Sequence, residues 1–191
     1  APNTLQCVIC FAGIGCCIAM SVPQVHIIPY VTDLNFEARH GANMLAIMLG
    51  CGVVSRIVSG VICDRIGGLN TLLLGSALQL VVLILYLPFD SLTALYTLAA
   101  LFGLSQGGIV PSYTIIVRTF FKAKDAGWRI GMAIFFTMLG MAVGGWLAGA
   151  LYDLTGSYEL AFINAIGFNI ANLAIAGMLR QRLTKSKPAT V

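Results

Sequence analysis

The stretch from Ala42 to Gly68 reads ANMLAIMLGCGVVSRIVSGVICDRIGG. From Ala42 to Cys63 the only charged side chain is that of Arg56, and a loop with an acid, a base and two glycines follows. A helix needs about 20 mainly apolar residues to cross the hydrocarbon core of a bilayer. The stretch therefore predicts a membrane-spanning helix that contains one cation and ends in a tight turn.

The same pattern recurs along the whole chain. Apolar runs of spanning length cover approximately residues 5–30, 42–63, 69–87, 92–117, 130–152 and 160–179. Charged residues make up 9% of the 191 residues, against about 25% in soluble domains, which excludes a soluble or disordered chain. A β-barrel would show short alternating segments instead of long apolar runs. We therefore predict an all-α membrane protein, with a bundle of six transmembrane helices over residues 1–182 and a cytoplasmic tail at 183–191.

Basic residues in short loops predict the orientation of such spans. When both chain ends are placed on one side, nine basic residues fall on that side and only Arg39 falls on the other. The nine are Arg65, Arg118, Lys122, Lys124, Arg129, Arg180, Arg182, Lys185 and Lys187. Both ends are therefore predicted to be cytoplasmic, in a plasma membrane or a bacterial inner membrane. With a net charge of +4 and no basic stripe between aromatic residues, no nucleic-acid partner is expected.

Arg56 is the residue with the clearest functional implication. It lies about two-thirds of the way along the second span, where a charge costs at least about 2.5 kcal/mol. Its side chain is therefore predicted to face the bundle interior or a watery cavity. A guanidinium presents a planar fork to a carboxylate, so it can anchor an anionic substrate. The alternative is a structural role, in which the side chain extends toward the cytoplasm or bonds to carbonyls.

Further polar residues inside the spans are candidates for substrate contact. Gln106 and Tyr113 lie in the fourth span, and Asn164, Asn169 and Asn172 lie in the sixth. Such side chains also commonly join neighbouring membrane helices by hydrogen bonds. Glycine pairs at four-residue spacing predict close helix crossings by the fourth and fifth spans. The pairs are Gly103 with Gly107, Gly140 with Gly144, and Gly145 with Gly149.

The first span contains His26 between Pro23 and Pro29. The two prolines are expected to break or kink this helix. His26 is a predicted substrate-binding residue. Because the span interiors contain no Asp or Glu, it is also the candidate for a coupling proton, with a packing role as the alternative. The lone pair of Cys7 and Cys10 has no nearby second pair or histidine ligands, so neither a metal site nor any cofactor is predicted.

The loop after the second span resembles a signature of the major facilitator superfamily, Gly-x-x-x-Asp-Arg-x-Gly followed by a basic residue. Gly60, Asp64, Arg65 and Gly67 match it, and Gly68 replaces the basic residue. The acid and the base, with glycines for a tight turn, predict contacts that latch one side of a gate. We therefore predict that these four matching residues take part in gating.

A second resemblance follows the fifth span. Gly149, Asp153, Gly156 and Tyr158 are similar to the turn between helices eleven and twelve of the same superfamily. This adds Asp153 and Gly156 to the predicted gating residues. The two motifs together align the chain with helices seven to twelve, the C-terminal half of a twelve-helix carrier. The resemblance implies alternating access between two halves, and the N-terminal half would be a missing partner.

Within that superfamily the chain is most similar to the branch of monocarboxylate transporters and oxalate/formate antiporters. Arg56 stands at the branch's eighth-helix arginine, which implies that it binds the substrate carboxylate. Gly52 replaces the aspartate often found four residues before that arginine, and the fifth span lacks the lysine of oxalate exchangers. The resemblance therefore implies secondary transport of a small organic anion, by antiport or symport, and a monocarboxylate best fits a single cation.

Two other functional classes are compatible with six spans. A non-transporting membrane sensor or partner subunit on the same fold would bind substrate without carrying it. An intramembrane hydrolase is not expected, because the chain has no Gly-x-Ser-x-Gly turn and Ser112 and His26 are predicted at different depths. The sequence is expected to be a fragment of a longer carrier, with a split subunit as the alternative.

Overall fold

The structure, a computed structural model, describes residues 2–185. It consists of α-helices joined by short loops. They are α1 (Pro2–Asp33), α2 (Ala38–Ile66), α3 (Gly68–Leu85), α4 (Leu92–Gln106), α5 (Ile109–Phe120), α6 (Ala123–Thr155) and α7 (Glu159–Lys185). Six helical segments are long and apolar enough to span a membrane, with α4 and α5 together forming one of them. The predicted all-α fold is therefore confirmed, whereas the predicted tail lies outside the described residues from position 186 onward.

Helix α1 occupies the centre of the bundle. It packs against α2, α6 and α7. Helix α3 packs against α4, α5 and α7. Most of α1 is buried, whereas α2 and α6 turn most of their surface outward. The outward faces are strongly apolar, with Val53 and Ile57 on α2 and Phe135 and Trp146 on α6 all more than half exposed. Such surfaces are unfavourable in water but match a lipid or protein environment.

Pro23 and Pro29 do not break the first helix, so that part of the prediction is wrong, and a kink stays a prediction. Both lie inside α1, which continues from Pro2 to Asp33. Each proline removes one backbone donor, but the helix continues on both sides of it. Pro23 is buried against neighbouring helices, whereas Pro29 is exposed. Membrane helices tolerate proline under these conditions.

The sequence predicts the fourth span as one continuous helix, and the structure differs from this prediction. The span divides at Gly107 and Gly108 into α4 and α5. Pro111 has no N–H, so the carbonyl of Gly107 loses its usual partner four residues on. The helical ladder resumes where the Ser112 amide donates to the Gly108 carbonyl at 3.2 Å. The break is therefore explained by two adjacent glycines followed by a proline.

The predicted close crossings occur at two of the three glycine pairs. A Cβ added at Gly103 would overlap the Met48 carbonyl oxygen of α2, and one at Gly107 would lie 2.5 Å from the Gly52 carbonyl oxygen. Gly140 and Gly144 meet α1 in the same way, with an added Cβ 2.6 Å from Ile14 O and 2.7 Å from Ile18 Cα, respectively. At Gly145 and Gly149 the nearest atoms are 3.5 and 3.6 Å away, which is ordinary contact.

Candidate functional site

Arg56 lies beside an open groove between α2 and α5. The groove has a volume of about 390 Å³. Its lining comprises Arg56, Val110, Pro111, Thr114 and Ile115. Arg56 stands ten residues before the end of α2 at Ile66, which places it about 15 Å from that end. The guanidinium is thus deep along the helix and next to a space large enough for a small molecule.

The two polar members of the groove have no partner within the part of the chain that the structure describes. Arg56 is exposed and makes no hydrogen bond or ion pair with any residue in 2–185. Thr114 is half-buried, and its hydroxyl does not bond back to its own helix as those of Ser112 and Thr119 do. A cation and a hydroxyl are therefore both available to a ligand.

The remaining lining residues decide the chemistry that the groove accepts. Val110, Pro111 and Ile115 present apolar surface, and the groove contains no acidic side chain. A guanidinium and a hydroxyl that line the same groove suit one carboxylate, and apolar walls suit a carbon skeleton without further charge. The arrangement matches a small monovalent organic anion better than a dianion, which would leave a second charge without a counter-charge.

Gln106 lies outside this groove but close to the same helix. It is buried at the end of α4, and Gln24 of α1 donates a hydrogen bond from Nε2 to Gln106 Oε1. The Gln106 Nε2 atom is 3.7 Å from the Cβ position of Gly52, which is one turn before Arg56. Gln24 was not identified from the sequence. The pair joins α1 to α4, so a contact between Gln106 and substrate stays a prediction.

Tyr113 belongs to a buried polar network of α3, α5 and α7. Its hydroxyl donates to Asn172 Oδ1 at 3.1 Å, and Asn172 Nδ2 donates to Ser76 Oγ at 2.9 Å. Asn169 Nδ2 reaches the Ser76 carbonyl oxygen at 3.2 Å. Asn164 is only half-buried, one to two turns earlier on α7. Neither Tyr113 nor Asn164 lines the groove, and their roles in substrate binding stay predictions.

His26 is held by two neighbouring elements. Its Nε2 lies 2.8 Å from the Gly145 carbonyl oxygen of α6, and its Nδ1 lies 3.2 Å from the Tyr158 hydroxyl. A carbonyl only accepts, so Nε2 must carry a proton. Burial raises the pKa of Tyr158, so this phenol stays protonated at neutral pH. Proton coupling through His26 stays a prediction.

The loop that carries the first motif is a sharp turn with exposed charges. Gly67 has a φ of +81°, and its amide donates to the Cys63 carbonyl oxygen at 2.8 Å. Asp64 and Arg65 are both exposed and form no ion pair within the described range. A Cβ at Gly60 would meet no atom within 4 Å. Among the described residues the loop therefore makes no latch, and gating contacts with another part of the protein stay a prediction.

The second motif also forms a turn. Gly156 ends α6 with a φ of +67°, and its amide donates to the Tyr152 carbonyl oxygen at 2.7 Å. Asp153 is exposed. The neighbouring Tyr152 hydroxyl donates to Asp33 Oδ1 of α1 at 2.7 Å, a contact that was not identified from the sequence. This turn therefore joins α1 and α6 at the end of the bundle opposite the first motif.

Comparisons with known proteins agree with the architecture. The family model described as Major Facilitator Superfamily matches residues 7–190. The chain is 26% identical over 156 residues to Monocarboxylate transporter 13 of Bos taurus, covering 81% of this chain and 37% of that protein.

Two further relatives differ in what their names say they carry. Monocarboxylate transporter 10 of Rattus norvegicus is 30% identical over 145 residues, covering 74% of this chain and 28% of that protein. The riboflavin transporter MCH5 of Saccharomyces cerevisiae is 26% identical over 163 residues, covering 78% of this chain and 31% of that protein. The chain thus spans about a third of the length of the curated relatives that it matches.

Proposed function

Because the chain belongs to the Major Facilitator Superfamily, and so to a family of integral membrane transporters, we propose that the whole protein carries a small organic anion across a membrane. The transport is secondary active, by alternating access, and the substrate is a monocarboxylate. Arg56 binds the carboxylate, and the groove between α2 and α5 receives the rest of the molecule. The route is lined by α1, α2, the α4–α5 span and α6.

One observation supports this function above the others. The Arg56 guanidinium has no counter-charge within residues 2–185 and stands beside an open groove. A cation at this depth is unfavourable unless an anion, water or polar groups compensate it. A substrate carboxylate supplies that compensation. Since related transporters are named for monocarboxylates and for riboflavin, the substrate class rests on this residue and not on the likeness.

The complete substrate site requires a second half. The chain covers about a third of its relatives, and α2 and α6 present broad apolar faces. We propose that six further spans precede this bundle in the whole protein and close the groove from the other side. Sequencing the coding region upstream of Ala1 tests this, since absence of six apolar segments there would leave only a split carrier or a different assembly.

Orientation and coupling complete the proposal. Both ends of the chain lie on the cytoplasmic side of a plasma membrane or a bacterial inner membrane, as the nine basic residues on that side favour. His26 is the candidate for a coupling proton. A protease site added at the C-terminus tests the orientation. Cleavage only by protease on the cytoplasmic side would support it, and cleavage by protease on the other side would contradict it.

Thr114 provides a test of the groove that does not remove the cation. Thr114→Val keeps the side-chain shape but deletes the hydroxyl. We expect about a fivefold weaker apparent affinity for the carboxylate in proteoliposome uptake by the full-length protein, because one hydrogen bond contributes about 1 kcal/mol. Thr119→Val is the matched control, since Thr119 is exposed and its hydroxyl already bonds to Ile115 O. Equal affinities in the two variants would exclude Thr114 from the site.

A non-transporting sensor on the same fold gives a different result in the same preparation. Such a protein would be stabilised by the carboxylate in a thermal melt yet show no uptake or exchange in vesicles. Substrate-dependent flux above that of empty vesicles supports the transporter.

A further inference from the structure

A second crevice lies between α2 and α3, with the end of α4 as its third wall. It has a volume of about 220 Å³ and shares no lining residue with the Arg56 groove. Helix α2 contributes Ser55, Val58, Ser59 and Ile62, and α3 contributes Thr71, Leu74, Gly75 and Leu78. Leu104, Ser105 and Gly108 complete the lining. Nothing in the proposed transport mechanism uses this space.

The walls of the crevice are effectively apolar. The hydroxyls of Ser55, Thr71 and Ser105 all donate to backbone carbonyls, at 2.5 to 3.0 Å. Of the crevice hydroxyls only that of Ser59 lacks a partner within residues 2–185. The rim is formed by aliphatic side chains about half exposed: Val58 at 51%, Leu74 at 44% and Leu78 at 50%. The crevice thus offers contact to a hydrocarbon and almost nothing to a polar ligand.

The dimensions match one leaflet of a bilayer. From Ser55 to Ile62 on α2, and from Thr71 to Leu78 on α3, the lining extends seven residues, or about 10 Å along each helix. It starts near the α2–α3 loop, stops short of the middle of α2 and reaches just past the middle of α3. Half of a hydrocarbon core is about 15 Å deep, so one acyl chain from the leaflet on the loop side can lie along the crevice.

A cation continues the same helical face at the loop end. Val58, Ile62 and Arg65 follow one another at four- and three-residue spacing, so they share one side of α2. Arg65 is exposed in the last turn of α2 and has no ion pair within the described residues, Asp64 included. An Arg at this level meets the phosphates of the same leaflet. The charge therefore complements an anionic headgroup above an apolar slot.

We propose that this crevice is a binding site for an anionic glycerophospholipid, with one acyl chain between α2 and α3 and its phosphate on Arg65. The site is independent of the Arg56 groove, so its test does not depend on transport. The lipid fills a space between two helices that pack less extensively against each other than α2 packs against α4.

Native mass spectrometry of the full-length protein can test the ligand chemistry. The protein is offered phosphatidylglycerol and phosphatidylcholine with identical chains, and separately phosphatidylglycerol with six-carbon chains. We expect about a fivefold preference for long-chain phosphatidylglycerol over phosphatidylcholine, because one basic residue near the phosphate contributes about that much. We expect little retention of the short-chain phosphatidylglycerol. Equal retention of both headgroups would overturn the proposal, and so would equal retention of the short-chain lipid, which indicates a phosphate site alone.

Paired variants test the location. Val58→Phe fills the crevice from its rim, whereas Val61→Phe adds the same bulk at a position equally exposed but outside the lining. On α3, Leu78→Phe fills the crevice and Val81→Phe is its control outside the lining. This second pair tests the location of the lipid if Val58→Phe does not fold. We expect the headgroup preference to fall about fivefold in Arg65→Gln and to stay in Arg118→Gln. Unchanged lipid retention in both crevice-filling variants, or an unchanged preference in Arg65→Gln, would overturn the proposal.

Discussion

Arg56→Ala is expected to lower carboxylate uptake by the full-length protein at least about 30-fold. Removing one partner of a charge pair that the proposed second half shields from water costs about 2 kcal/mol or more. Among the described residues, Arg56 is the one cation that lines the groove. Arg56→Lys keeps the charge but loses the planar fork, so we expect an intermediate loss. The measurement is initial uptake of a labelled monocarboxylate into proteoliposomes over a range of concentrations.

The control for this experiment is Arg118→Ala. Arg118 is an exposed basic residue in the last turn of α5, and it does not line the groove. Thermal melts of all variants establish that each is folded, so lost uptake can be assigned to lost binding. Full uptake in a folded Arg56→Ala protein would reject the anchor and with it the proposed substrate class.

Gly103→Ala is expected to destabilise the bundle by about 1–3 kcal/mol, the usual cost of overpacking. The added methyl group would overlap the Met48 carbonyl oxygen and lie 2.8 Å from Cys51 Cβ. Both atoms belong to α2, one of them to its backbone, so no side-chain rotation relieves the overlap. The two helices must separate, and the same crossing positions the helix that contains Arg56. The free energy of unfolding in detergent measures the effect.

Gly50→Ala provides the matched comparison on the partner helix. A Cβ at Gly50 meets nothing within 4 Å, so the same substitution adds no contact there. Alanine also has the better helix propensity, by about 1 kcal/mol, and stability should be unchanged or slightly higher. Similar losses in the two variants would show that the α2–α4 crossing is not tightly packed.

The glycine pairs show where sequence spacing succeeded and where it stopped. Four-residue spacing marked Gly103 and Gly140 as close-contact positions, and both are. The same spacing at Gly145 and Gly149 accompanies only ordinary contacts. Spacing shows that small residues line one face of a helix. Whether a neighbouring helix approaches that face depends on how the two helices cross, which local sequence does not encode.

The prolines show that the effect of one residue type on a helix depends on the residues around it. The sequence predicts that Pro23 and Pro29 break or kink α1, yet the helix is not broken at either, whereas Pro111 with two glycines shortly before it does divide the fourth span. A proline removes the same hydrogen bond in each case. The difference comes from the glycines, since Gly107 and Gly108 precede Pro111 whereas no glycine lies among the four residues before Pro23 or Pro29, and glycine is a poor helix former.

By itself the sequence determined the fold class, the six spans and the position of an arginine deep in one span. Hydropathy and length are local properties of the chain, and they decide directly whether a segment can span a bilayer. Only the tertiary structure placed Thr114 beside Arg56, paired Gln24 with Gln106 and connected Tyr113 to Asn172. Those pairs join residues from different helices, and each depends on helix rotation and crossing. Close packing of whole faces sets both, and no short stretch of the chain contains that information.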